Sequence, residues 1–70
     1  MNLYTIRERL KSLLKQQHLF CYYGLRGQND SFEGKIIQIY PRIFLIETNN
    51  HVIKSFSYSD FATKLLRILR

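Results

Sequence analysis

Residues 32–61, FEGKIIQIYPRIFLIETNNHVIKSFSYSDF, constrain the fold of this chain more than any other stretch. Three β-prone runs follow one another, near 32–40, 43–48 and 51–57, with short breaks between them. Tyr40-Pro41-Arg42 makes the first break. Proline has no N–H to give a strand ladder, and its ring presets φ for a turn. Asn49-Asn50 makes the second, and asparagine tolerates the positive φ that a two-residue hairpin loop needs. In the middle run Phe44, Ile46 and Thr48 share one face, and Ile43, Leu45 and Glu47 share the other. Both faces are largely apolar, so this strand is expected to be central and covered twice, by a barrel interior and by a helix. A strongly bent meander of this size points to a small barrel, a scaffold that binds more often than it catalyses.

The flanks supply the rest of the fold. Residues 3–17 read as an amphipathic helix with Leu3, Ile6, Leu10, Leu13 and Leu14 on one stripe. Arg7, Lys11 and Lys15 fall on another face, with Glu8 and Arg9 nearby. Thr5-Ile6-Arg7-Glu8 has the form of a capping box, and Asn2 is a rival cap that would start the helix a turn earlier. The stripe is expected to pack on one end of the barrel; a partner-binding helix is the alternative. Residues 19–25, LFCYYGL, are β-prone, and 26–31, RGQNDS, read as a loop. At the C-terminal end Phe61, Ala62, Leu65, Leu66 and Leu69 fit helical spacing, with Ser59 or Asp60 as a cap. Local pattern alone favours a helix there.

Seventy residues allow one domain, 1–70, with the barrel spanning 19–69. A chain this short buries only roughly 60% of its unfolded surface, so its core is marginal. Cys21 is the only cysteine, so no disulfide framework compensates, and a homodimer is expected to add stability. A lone thiol without a signal peptide points to the cytoplasm. No stretch approaches the roughly 18 apolar residues of a membrane span. Eleven Lys and Arg against five Asp and Glu give a formal net charge of +6. That field favours anionic partners, nucleic acid or an acidic protein surface among them. The competing reading is a solubility charge, since the cations form no run.

Motifs in the central stretch carry a family resemblance. Gly34-Lys35-Ile36-Ile37-Gln38-Ile39-Tyr40-Pro41-Arg42-Ile43-Phe44 resembles the G-x-hydrophobic-x3-Y-P-x-hydrophobic-F segment of the Veg family, small cytosolic proteins of Gram-positive bacteria. Ser55-Phe56-Ser57-Tyr58-Ser59-Asp60 resembles that family's S-Y-S-Y-x-D segment at the right distance downstream. The N-terminal helix matches the family's order. This resemblance implies an SH3-like barrel of five strands behind a helix, with a short helical turn over 57–61 and a closing strand over 63–69. It also implies a regulatory association with biofilm-matrix gene expression and no known enzymatic activity. Two departures stand out. The family's basic, glycine-rich loop is here Gly24-Leu25-Arg26-Gly27-Gln28-Asn29-Asp30, with one cation and one acid, and the loop after the second strand is shorter. A weaker similarity is to the Sm-like RNA-binding barrel, whose second-strand glycine Gly34 would match. Tyr40-Pro41-Arg42 occupies the position where that fold expects an acid.

The chemistry-bearing residues point away from catalysis. Ser57, His51 and Asp60 are the right types for a hydrolase triad but lack a nucleophile-elbow context. Asp60 is expected to tie Ser57 or nearby amides in a turn. Cys21, between Phe20 and Tyr22 in a predicted strand, is expected to be buried and inert. His18 is expected to meet the end of the helix, and two distant histidines make no metal site. No cofactor is expected. Exposed aromatics with nearby cations could hold single-stranded nucleic acid. Tyr22, Tyr23, Tyr40, Tyr58 and Phe32 are the candidate rings, with Arg26, Lys35, Arg42 and Lys54 near them. The competing reading puts most of these rings in the core. Arg7, Lys11 and Lys15 form a further candidate anion-binding face. The functional expectation is a non-enzymatic regulator working through protein or nucleic-acid contacts. A direct RNA- or single-stranded-DNA-binding barrel is the alternative.

Overall fold

Asn2 starts the chain's first helix. Its side-chain oxygen accepts from the Thr5 amide at 2.8 Å, and α1 runs over Leu3–Ser12. The rival cap therefore prevails over the Thr5–Glu8 box. With the helix begun a turn earlier, the Glu8 carboxylate lies 3.3 Å from Lys11 instead of turning back. The computed structural model describes residues 2–24, 27 and 29–70. Among them, β1 spans Gln17–Tyr23, β2 Asn29–Ile39, β3 Ile43–Thr48 and β4 Ile53–Ser57. A second helix, α2, spans Tyr58–Ala62, and β5 spans Leu66–Ile68. The strands form one antiparallel sheet in the order β4-β3-β2-β1-β5, giving a mainly β, small barrel-like fold.

The helix ends at Ser12, short of the expected residue 17. Leu14 bridges Ile36, and the Lys15 amide donates to the Ile36 carbonyl at 2.8 Å from a left-handed φ of 63°. Docking on β2 thus stops the helix, and Gln17 is drawn into β1. The end of the stretch 26–31 is also less of a loop than its polarity suggests. Asn29, Asp30 and Ser31 pair with Tyr23, Tyr22 and Cys21 and belong to β2. Pairing along β1 overrides their turn preference. Arg26 lies outside the described residues.

β2 bends the sheet. It pairs with β1 over Asn29–Lys35 and with β3 from Gly34 onward, so it must turn from one partner to the other. A Cβ on Gly34 would stand 2.5 Å from the Glu47 carbonyl oxygen, so only glycine lets the two strands come this close. A bulge follows between Ile36 and Gln38, leaving Ile37 as the extra residue and adding twist.

The turns around β3 follow the expected breaks, with one change. At the first, the Tyr40 amide donates to the Ile43 carbonyl at 2.8 Å. At the second, Asn49-Asn50 begins a four-residue connection to β4 instead of a two-residue loop. His51, with φ 63°, takes the left-handed position expected of asparagine. The Thr48 amide reaches the Val52 carbonyl at 2.9 Å, which fixes this longer register.

Ile6, Leu10, Phe20, Ile36, Phe44, Ile46, Tyr58 and Leu66 make the core. Phe44 and Ile46 point inward as their alternation requires, with buried Thr48 beside them. The other face of β3 is not covered by a helix. Ile43 is 41% exposed, and α1 packs on β2 and α2 instead.

The C-terminal region settles as the family resemblance implies. Ser57 caps α2: its hydroxyl accepts from the Asp60 amide at 3.2 Å, and the Asp60 carboxylate accepts from the Ser57 amide at 3.3 Å. The local helical pattern is satisfied only over Tyr58–Ala62. Leu66–Ile68 then pairs with β1, because closing the sheet satisfies backbone groups that a longer helix would leave exposed.

Candidate functional site

The sites suggested by sequence scatter over the surface. Arg7 and Lys11 share one exposed flank of α1, but Lys15 has left the helix and sits in the turn before β1. Lys11 is also paired with Glu8. The expected triple-cation face therefore does not form. Lys35 is exposed on the far side of the sheet, opposite Glu47 in the register. Tyr40, Pro41 and Arg42 are exposed at the β2–β3 turn, where the Arg42 carbonyl accepts from the Tyr58 amide at 3.0 Å. Lys54 lies 3.4 Å from Asp30 and 5.3 Å from the centre of the Phe32 ring.

Of the candidate stacking rings one is buried and three are half-buried. Tyr58 is buried, and its hydroxyl donates to the Tyr40 carbonyl. Phe32 stacks between Phe20 and Phe56, with centroids 5.6 and 6.0 Å away, and Tyr22 packs 5.5 Å from Phe56. Tyr23 lies under the Arg67 guanidinium at 5.1 Å. Hydrogen bonding to the Cys21 thiol raises the Tyr23 phenol above its ordinary value, while Arg67 pulls the other way. Cys21 is buried, as expected. Tyr40, 43% exposed, is the remaining open ring of the five.

The hydrolase residues also stay apart. Ser57 and Asp60 are consumed by the helix cap, and His51 faces Glu47 at 3.5 Å in the opposite turn. Five residues, four of them in β4, separate His51 from Ser57, a span of roughly 20 Å. His18 meets the Arg70 carbonyl at 3.0 Å and not the helix end, because β1 starts at Gln17 and carries it past α1. Among the described residues no cluster of His, Cys, Asp and Glu could hold a metal ion. No helix among them is long and apolar enough to cross a membrane.

The structure gathers a different set of cations. An open groove of about 460 Å³ lies between α1, α2 and β5. Phe61, Ala62, Leu66 and Ile68 give it apolar walls, and Arg9, Lys64 and Arg67 line it with three positive charges. Helical geometry places Arg9 there. It shares a flank with Thr5, four residues back, on the opposite side of the buried Ile6–Leu10 stripe from Arg7 and Lys11. Lys64 sits at φ 64° in the turn after α2, and Arg67 is held by a 3.2 Å bond from its Nε to the Lys64 carbonyl.

Among the described residues no Asp or Glu pairs with these three cations. The chain has five Asp and Glu, and all are engaged elsewhere. Glu8 pairs with Lys11, Asp30 with Lys54, Glu33 with Arg70 and Glu47 with His51, while Asp60 caps α2. Arg9, Lys64 and Arg67 take part in none of these contacts. Sequence reasoning passed over all three. Arg9 reads as a bystander at the shoulder of the apolar stripe, and Lys64 and Arg67 meet only once the last segment closes as a strand.

The sequence model of a family described as "biofilm formation stimulator VEG" matches residues 1–69, nearly the whole chain. No curated protein matches the chain significantly.

Proposed function

Because the chain belongs to the biofilm formation stimulator VEG family, we propose that it stimulates biofilm formation as a non-enzymatic regulator, in the cytoplasm, by binding another protein. One observation carries this reading: the cations that converge do so around apolar walls and not beside a row of open aromatic rings. Binding of single strands needs stacking platforms as well as charge; Tyr58 is buried, and the half-buried Phe32 and Tyr22 pack against the core and neighbouring rings. An apolar floor with a cationic rim is the composition of a protein-docking surface. The residues of the hydrolase type contribute a helix cap and a turn.

Fluorescence anisotropy with labelled single-stranded and duplex oligonucleotides tests the choice of partner class. At about 50 mM salt, where phosphate contacts are strongest, weak non-saturating binding is expected. Saturable binding that collapses steeply with added salt would replace this reading with direct nucleic-acid recognition.

A further inference from the structure

We infer that the groove between α1, α2 and β5 receives an acidic segment of the partner protein, with carboxylates on Arg9, Lys64 and Arg67 and an apolar side chain against Phe61 and Ala62. This rests on the proposed protein-binding function and names the chemistry of the ligand.

Charge identifies the occupant. Three cations lie on one groove of a chain whose five Asp and Glu side chains are all engaged elsewhere. The shortage of intramolecular acids is local and has a geometric origin. Lys11 and His51 find an acid on their own helix or turn, and Lys54 and Arg70 find one on β2, while no acid is among the residues that line the groove. Arg67 is also pre-set. Its Nε bond to the Lys64 carbonyl and its seat over Tyr23 hold the guanidinium in place before any ligand arrives. Strand alternation turns Arg67 away from Leu66 and Ile68, so its guanidinium stands at the rim of the groove, where its remaining N–H groups suit a planar carboxylate.

Shape favours a peptide segment. The groove is open along one side, whereas a small-molecule site encloses most of its ligand. It also runs along a sheet edge, since among the described residues β5 has β1 as its only strand neighbour. The Tyr23 amide donates to the Leu65 carbonyl and the Leu69 amide to the Leu19 carbonyl. Antiparallel alternation then turns the backbone groups of Leu66 and Ile68 away from β1, toward the free edge. A segment lying there gains backbone bonds along β5 in addition to its carboxylate contacts.

The test is a titration of the ¹⁵N-labelled full chain, followed by NMR, with a capped synthetic peptide alternating glutamate with leucine and valine. Saturating shifts are expected in the amides of Thr5, Arg9, Phe61, Lys64 and Arg67. The same peptide with glutamine for glutamate should produce no saturation. Arg9→Gln with Arg67→Gln should weaken binding roughly ten-fold, from the loss of two partly exposed ion pairs. Thr5→Glu is a second variant: an acid in the first helical turn suits α1, yet it should repel the peptide from the groove. No saturation by the acidic peptide, shifts centred on Arg7 and Lys11, or equal binding of the glutamine peptide would each overturn the inference. A saturable oligonucleotide would overturn the protein-binding reading beneath it, and so separates the two failures.

Discussion

Replacing Gly34 by alanine should destabilise the protein by pushing apart the two strands on which the sheet bends. The added Cβ would meet the Glu47 carbonyl oxygen at 2.5 Å, the Glu47 carbonyl carbon at 3.1 Å and a methyl of Ile46 at 3.1 Å. Two of these three atoms are backbone, so no side chain can rotate away to make room. Overpacking of this kind costs about 1–3 kcal/mol. Alanine also restricts the unfolded chain and recovers about 0.4–1 kcal/mol, so the clash wins by about 1–2 kcal/mol. For a domain of this size total stability is about 4–10 kcal/mol, and each kcal/mol shifts Tm by roughly 4–8 °C. The Gly34→Ala variant should therefore melt roughly 5–15 °C lower by far-UV circular dichroism, with a lower urea midpoint and an unchanged slope. A melting temperature equal to or above that of the parent would refute the claim that β2 and β3 cross too closely for a side chain.

Two further outcomes follow from the surface. The Tyr23 phenol is held protonated by Cys21, so its ring-carbon NMR signal should titrate above about 10, and Cys21→Ala should bring it back toward that value. Because the folded-state value is the raised one, any stability this contact adds is present below the unfolded phenol's pKa and lost as pH climbs through the folded one; a Tyr23 signal indifferent to Cys21→Ala would sink the assignment. At the other edge of the sheet, Val52 and Ile53 leave exposed apolar side chains on and beside β4. Such an edge is a template for strand pairing. Light scattering at high micromolar concentration is expected to give a dimer mass, and Ile53→Lys a monomer; a parent protein that stays monomeric there would count against pairing through β4.

What could be read in advance was governed by local chemistry. Pro41 and the Asn49-Asn50 pair bracket Ile43–Thr48, and that strand has the expected bounds. The Ser57–Asp60 cap is likewise legible, because both partners lie three residues apart. The end of α1 was not. Leu13 and Leu14 continue the apolar stripe beyond Ser12, and only the docking of Leu14 on Ile36 stops the helix. That stop removed Lys15 from the supposed cationic face. The groove was hidden for the same kind of reason. Its cations come from α1, the turn after α2 and β5, and the last of these forms against its local helical pattern through pairing with Phe20, Cys21 and Tyr22.

Biofilm formation by cells lacking the chromosomal copy, complemented with matched levels of two variants, tests the central claim most directly. Arg9→Gln, Lys64→Gln and Arg67→Gln together should abolish stimulation while leaving the fold intact, because all three side chains are exposed. Arg7→Gln, Lys11→Gln and Lys15→Gln remove the same formal charge from elsewhere on the surface and should leave stimulation at the parent level. Full stimulation by the groove variant, or equal loss in both, would contradict the assignment of function to the groove between α1, α2 and β5.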